Sequence, residues 1–325
     1  MGAKQLILII AAMVMFIAQF GRIFTSKTHM VDQSVLLVTA HPDDEVMFFG
    51  PTLMNIFKNN NSVNLLTLST GDSAGLGEVR VAELGSAMKV LNQPEQNTTV
   101  VDDPRLPDSM EAEWDPAVVA QYVLAAFNEH KVDTVVTFDE YGVSGHPNHA
   151  AVSEGVLQAS LEYAAENEDF SMLTLYSVPL WRKYLFSADG LLSRLITIPG
   201  VQYHVINSQT EYHWVRQAIR QHVSQMVWYR QLWTFFSRYM IVNDLSEVNF
   251  GRALRSTKFH DAEKQAKIAA AIERPIGTEG TNIQTSVARP SPTKERKDRK
   301  DRAVTRQKPS FTAPAAPKDD AHNEL

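Results

Sequence analysis

The run Val35-Leu36-Leu37-Val38-Thr39-Ala40 carries no charge and leads directly into His41-Pro42-Asp43-Asp44-Glu45. An apolar, β-rich run of this kind reads as a buried strand. Open α/β sheets place their ligands at the carboxyl ends of such strands. Pro42 fixes its own φ and suits the first position of a helix, so the chain turns from strand to helix here. Side chains three apart then share a face, which puts His41 beside Asp44 and aims Asp43 elsewhere. That offers two ligands to one metal and a third, unbound carboxylate nearby. The competing reading is a capped helix start, with Asp43 or Asp44 bonded to free backbone N–H groups.

A second stretch repeats the pattern. Val132 to Phe138 reads as another buried strand, the loop 139–145 follows, and His146-Pro147-Asn148-His149 opens the helical run Ala150-Ala151-Val152. Two such elements at strand carboxyl ends converge on one crevice of a parallel sheet. Two histidines and a carboxylate form a common ligand set for catalytic zinc, with an open position for water. The residues themselves leave open whether His146 or His149 binds.

The pair Ala40-His41-Pro42-Asp43-Asp44-Glu45 and His146-Pro147-Asn148-His149 resembles the metal-dependent de-N-acetylases of N-acetylglucosaminyl-inositol compounds. Two further stretches, Gly71 to Leu84 and Ser224 to Met240, resemble the eukaryotic branch that acts on the phosphatidylinositol-linked sugar in the second step of GPI-anchor synthesis. The resemblance spans about residues 34–250. It implies a divalent metal, Zn²⁺ foremost, held by His41, Asp44 and His149. Asp43 would be the general base, Asp43 or His146 would then protonate the leaving amine, and His146 as imidazolium would also stabilise the oxyanion. Glu45 would support these groups by hydrogen bonding. Asn148 stands where bacterial relatives often carry Asp. The implied partners are the glycolipid substrate and a membrane.

The rest of the chain fits an α/β fold, a Rossmann-like, mostly parallel sheet with helices on both faces. Strands at 63–69, 98–101 and 173–178 alternate with helical patterns at 47–58, 116–129 and 150–165. A net charge of −6 does not suggest a nucleic-acid binder, and with no cysteine any metal must sit on N and O ligands. The Gly-rich loop Gly71–Gly77 suits phosphate, and Arg80 beside it is the candidate for the inositol phosphate, against a surface pair with Glu83. Tyr212 to Tyr239 is rich in aromatics; a core helix accounts for most of it, and a membrane interface for the alternative.

The expected organisation is an anchor at 1–28, a catalytic domain at 29–274 and a disordered charged tail at 275–325. The anchor rests on the apolar stretch Gln5 to Phe20, flanked by Lys4 and Arg22; no small-x-small cleavage site follows it, which disfavours a signal peptide. The tail holds ten basic and seven acidic residues and almost no bulky apolar ones, too few to build a core. The resemblance implies a single-pass protein of the endoplasmic reticulum membrane with its catalytic domain on the cytoplasmic side. Acceptor patterns at Asn60-Asn61-Ser62 and Asn97-Thr98-Thr99 and the terminal His322-Asn323-Glu324-Leu325 lean toward the lumen. The rival functions are deacetylation of a soluble N-acetylglucosaminyl-inositol and a catalytically dead, membrane-tethered glycolipid binder. The membrane stretch speaks against the first, the intact Asp43 against the second.

Overall fold

A computed structural model describes residues 30–92, 97–186, 188–195, 198–255 and 282–285. The proposed anchor and nearly all of the tail lie outside these residues. By its contacts the chain divides after Val287, and every described residue belongs to the first unit. Among the described residues no helix is long and apolar enough to cross a membrane.

The strands are β1 (Ser34–Thr39), β2 (Ser62–Thr67), β3 (Thr98–Asp102), β4 (Thr134–Phe138), β5 (Ser171–Leu175), β6 (Val201–Ile206), β7 (Val242–Glu247) and β8 (Asn282–Thr285). They form one sheet in the order β6-β7-β5-β4-β1-β2-β3-β8. The five central strands are parallel and largely buried, as strands covered on both faces are. β6, β7 and β8 join antiparallel at the two sides. β8 comes from the stretch assigned above to the tail.

The main helices are α1 (Asp44–Met47), α2 (Gly50–Lys58), α3 (Gly77–Val90), α4 (Pro116–His130), α5 (Pro147–Glu166), α6 (Gln209–Ile219) and α7 (Trp228–Phe236). From β1 the chain steps outward through β2 to β3, then crosses back to β4 on the other side of β1. Right-handed crossovers therefore put α1 to α3 on one face and α4 and α5 on the other. The reversal falls between β1 and β4, whose register pairs Val35 with Thr134 and Leu37 with Val136. Both His-Pro elements leave the sheet at this switch point.

The stretch from Tyr212 to Tyr239 differs from its sequence reading. Only its first part packs as a core helix, with Val215, Ala218 and Ile219 of α6 buried. Glu83 breaks the continuation by accepting from Ser224 N (2.7 Å) and Ser224 Oγ (2.6 Å). Beyond that break α7 buries Thr234 alone.

The α4–α5 contact is tight at Gly155. A Cβ there would lie 2.5 Å from Val119 Cβ and 2.7 Å from the Pro116 carbonyl oxygen, neither of which can rotate away. Gly155→Ala should therefore push the two helices apart and cost about 1–3 kcal/mol. Thermal unfolding of the full chain in detergent checks it; an unchanged midpoint would mean the helices separate without penalty.

Candidate metal-dependent active site

His41 follows the end of β1 through a turn that Asp44 closes. Asp44 Oδ2 accepts from Ala40 N (3.1 Å) and His41 N (2.9 Å). The same carboxyl faces two imidazoles, with His41 Nδ1 3.7 Å from Oδ2 and His149 Nε2 3.4 Å from Oδ1. The capping reading and the ligand reading of this motif thus meet in one side chain. Asp43 points away from it, at φ 116°, a left-handed backbone that costs a non-glycine residue about 1–3 kcal/mol.

The second element is built by Asp139, at the end of β4. Its carboxylate accepts from the backbone N–H groups of Tyr141 (3.2 Å), Gly142 (3.0 Å) and Ser177 (2.6 Å), and from Ser177 Oγ. This curls the loop so tightly that Gly142 adopts φ 64°, and a Cβ there would meet His149 Cβ at 2.6 Å. The Gly142 carbonyl consequently lies 3.1 Å from His149 Nδ1. With Nδ1–H donated to that carbonyl, Nε2 is the nitrogen left with a lone pair, and it faces Asp44. Phe138 stacks flat on the ring, 4.2 Å between centroids.

His146 caps α5, its Nδ1 accepting from Asn148 N (3.2 Å). An accepting Nδ1 requires the neutral ring to carry its proton on Nε2. Burial, reinforced by the repulsion of His149 and His41, pushes its pKa down to about 4, so this ring is neutral near pH 7. Asn148 is tied to the other motif: its side-chain amide sits 3.1 Å from His41 Nε2.

Burial outweighs the neighbouring carboxylates and lowers the His41 pKa. Burial also opposes charge on His149, but Asp44 and the Gly142 carbonyl raise its pKa overall. Asp44 itself stays well below the usual carboxylate range; burial works against this, and the His149 and His41 contacts prevail. His41, Asp44 and His149 are all buried, with one donor atom from each within 4.8 Å of the others. Such a buried nitrogen–oxygen set fits a divalent cation. A second donor set shares His41 and adds Asp108 and His146, both less buried.

Arg80 is placed differently from its sequence reading. It is buried, and its guanidinium donates to the carbonyls of Gly71 (2.8 Å) and Pro42 (2.8 Å) and to Asp108 Oδ2 (2.9 Å). It also lies 3.5 Å from Asp43 Oδ1. With those bonds made, Arg80 acts as a strut between the two acidic loops rather than as an open phosphate ligand. Glu83, bound to Ser224, is not its partner.

Three participants take roles that the sequence does not announce, although Asp108, with Trp114, is a candidate there for lining the sugar pocket, against an ordinary surface loop. Asp108 reaches His41 Nε2 at 3.2 Å; its position in the loop after β3, another strand carboxyl end, was the available signal. Arg230, from α7, pairs with Asp43 Oδ2. His222 lies 2.8 Å from Glu45 Oε1, both fully buried, while Glu45 Oε2 accepts from Asp43 N (2.9 Å). Nothing in local pattern announces the last two, which come from about 180 residues downstream of their partners.

Arg80, Asp108, His146 and Arg230 join His41, Asp43, Asp44 and His149 in lining one cavity of about 750 Å³. Its floor is the His41–Asp44–His149 cluster with Asp43, and its walls include Phe48, Tyr229, Leu232, Trp233 and Phe236.

The family model described as "PIG-L: GlcNAc-PI de-N-acetylase" matches residues 36–160. The chain is 37% identical over 219 residues to the probable N-acetylglucosaminyl-phosphatidylinositol de-N-acetylase of Schizosaccharomyces pombe, covering 66% of this chain and 86% of that protein. It is 38% identical over 211 residues to the N-acetylglucosaminyl-phosphatidylinositol de-N-acetylase of Bos taurus, covering 65% and 82%. Among solved structures, N,N'-diacetylchitobiose deacetylase from Pyrococcus horikoshii superposes with a TM-score of 0.48 at 14% identity, covering 71% of this chain and 88% of that one.

The His222–Glu45 pair has a pH signature. Burial disfavours the imidazolium, but the Glu45 charge and hydrogen bond raise the His222 pKa above its ordinary value. A raised folded-state value stabilises the fold fully below the unfolded pKa of about 6.5, and the contribution fades as pH climbs through the folded value. His222→Gln should therefore cost about 3 kcal/mol near pH 5.5 and progressively less on the alkaline side. Denaturation midpoints of wild type and variant across that range decide it; a gap independent of pH would mean the pair is not ionic.

Proposed function

The chain belongs to the GlcNAc-PI de-N-acetylase family, and on that premise we propose that it hydrolyses the acetamide of N-acetylglucosaminyl-phosphatidylinositol. The products are acetate and glucosaminyl-phosphatidylinositol, the second step of GPI-anchor synthesis. We place this activity at the endoplasmic reticulum membrane, with the catalytic unit on the cytoplasmic side. The observation that carries the reading is the buried His41–Asp44–His149 cluster, with the separate carboxylate of Asp43 beside it on the cavity floor.

An acetamide carbonyl is a poor electrophile and water a poor nucleophile. A divalent metal, Zn²⁺ first, held by His41, Asp44 and His149, supplies Lewis acidity to both partners. Asp43 takes a proton from the attacking water and returns it to the departing amine. Its backbone is held for this by Glu45 Oε2, and its carboxylate is oriented by Arg80 and Arg230. His146 presents Nε2–H to the carbonyl oxygen as negative charge develops there, since its Nδ1 is engaged by the α5 backbone. Of the cations lining the cavity, Lys183 and Arg230 are only half-buried and suit the phosphodiester.

The test is acetate release from N-acetylglucosaminyl-phosphatidylinositol by membranes carrying the full chain. Chelation should abolish it and added Zn²⁺ restore it. Asp43→Asn should lower the rate by about 10²–10⁴-fold while one equivalent of metal is retained, and Asp44→Ala should lose the metal as well. Full activity in Asp43→Asn would remove this residue as the base. No turnover with any divalent metal in a folded, inserted protein would overturn the enzymatic reading.

A further inference from the structure

Helix α7 turns its apolar side outward. Trp228, Leu232 and Phe235 recur at the spacing of one helical face, and they are 74%, 51% and 50% exposed. Such a stripe normally faces a core; here only Thr234, on the other side, is buried. A second segment continues the surface. Leu180, Trp181 and Tyr184 are 69%, 60% and 49% exposed, and Phe186 at the end of that segment stacks on Phe235 at 6.0 Å. Two chain segments far apart in sequence thus build one aromatic and aliphatic surface, larger than scattered exposed residues would give.

This surface does not stop at the protein exterior. Leu180, Tyr184 and Leu232 also line the cavity whose floor carries the His41–Asp44–His149 cluster. Lys183 and Arg230, from the same two segments, line it too. Trp and Tyr mixed with aliphatic side chains and adjoining basic residues match the boundary between headgroups and acyl chains. A protein partner seated here would close the mouth of the cavity, whereas a bilayer would present its lipids to it.

We infer that α7 and the Leu180–Leu185 segment form a face that docks on a lipid bilayer, with the cavity mouth opening onto the membrane surface. This rests on the reading of the substrate as a phospholipid-linked sugar. The acyl chains remain in the bilayer against Trp228, Leu232 and Phe235 while the sugar enters the polar floor. The face lies far in sequence from the apolar stretch at residues 5–20, and a tether there would not by itself orient the cavity.

The test uses the full chain in phosphatidylcholine vesicles whose acyl chains carry bromine, a contact quencher of tryptophan fluorescence. Of the five tryptophans, Trp114 is buried. Wild type should be quenched, and Trp181→Phe/Trp228→Phe should lose most of that quenching although it is tethered to the same vesicles. Equal quenching in both proteins overturns the proposal. It falls equally if a second copy of the chain or the N-terminal stretch covers the face, because Trp181 and Trp228 then escape the bromine. In a second arm, Trp228→Ser/Phe235→Ser should lower turnover of bilayer-borne substrate roughly tenfold and leave that of a water-soluble N-acetylglucosaminyl-inositol phosphate unchanged. An equal loss on both substrates would overturn docking as the cause. If wild type cleaves neither substrate, the catalytic reading fails, and the quenching measurement still decides the docking face.

Discussion

The parallel pairing of β1 with β4 is the constraint on which the site depends. These strands are far apart in sequence, and they become neighbours only because the chain reverses direction after β3. Each delivers a His-Pro element from its carboxyl end, and the strand spacing of about 4.8 Å then dictates how far apart the side chains can stand. His41 and His149 end with ring centroids 5.4 Å apart and Asp44 against both. Neither element is a site alone. A register slip of one residue between the strands would turn their side chains to the opposite faces of the sheet.

Charge is partitioned around this junction with little waste. Asp43, Asp44 and Asp108 lie within one pocket, where like charges would repel and force protonation unless compensated. Arg80 bonds Asp108 and neighbours Asp43, and Arg230 takes the other side of Asp43. Asp44 is met instead by two imidazoles and two backbone N–H groups. Imidazoles can give up a proton to a metal and guanidiniums cannot. The distribution of cations therefore separates a carboxylate that can share a metal from one that two arginines hold beside it. Placing Arg80 inside the structure rather than on its surface is part of the same arrangement.

Much of this was legible. The five parallel strands are short, apolar and separated by helices, so periodicity finds them, and the two His-Pro elements follow from where those strands end. The antiparallel strand β7 was not legible, for a physical reason. Its Asn243 and Asp244 are fully buried, which no apolar pattern suggests, because each is satisfied by distant partners. Asn243 accepts from Thr52 N and Oγ1 and donates to the Phe48 carbonyl; Asp244 meets Arg238, Ser193 and His204. The α7 stripe failed in the opposite sense. Its periodicity is that of a buried helix, and only the tertiary structure shows which side faces the core.

Two strained backbone positions sit where these distant demands meet. Asp43 at φ 116° and Val143 at φ 62° are left-handed without being glycine, and each adjoins a residue of the His41–Asp44–His149 junction or its supporting loop. Both conformations are over-determined by bonds that a relaxed backbone would break. Asp43 N is held by Glu45 and the Asp43 carbonyl accepts from Met47 N, while Val143 N donates to Ser177 Oγ and its carbonyl accepts from Lys183. The strain therefore keeps apart two adjacent carboxylates that a hydrolytic site needs in different places, one against the imidazoles and one beside them. Glu45 in turn leans on His222, so the separation of Asp43 from Asp44 is secured by the core and not by the loop that contains them.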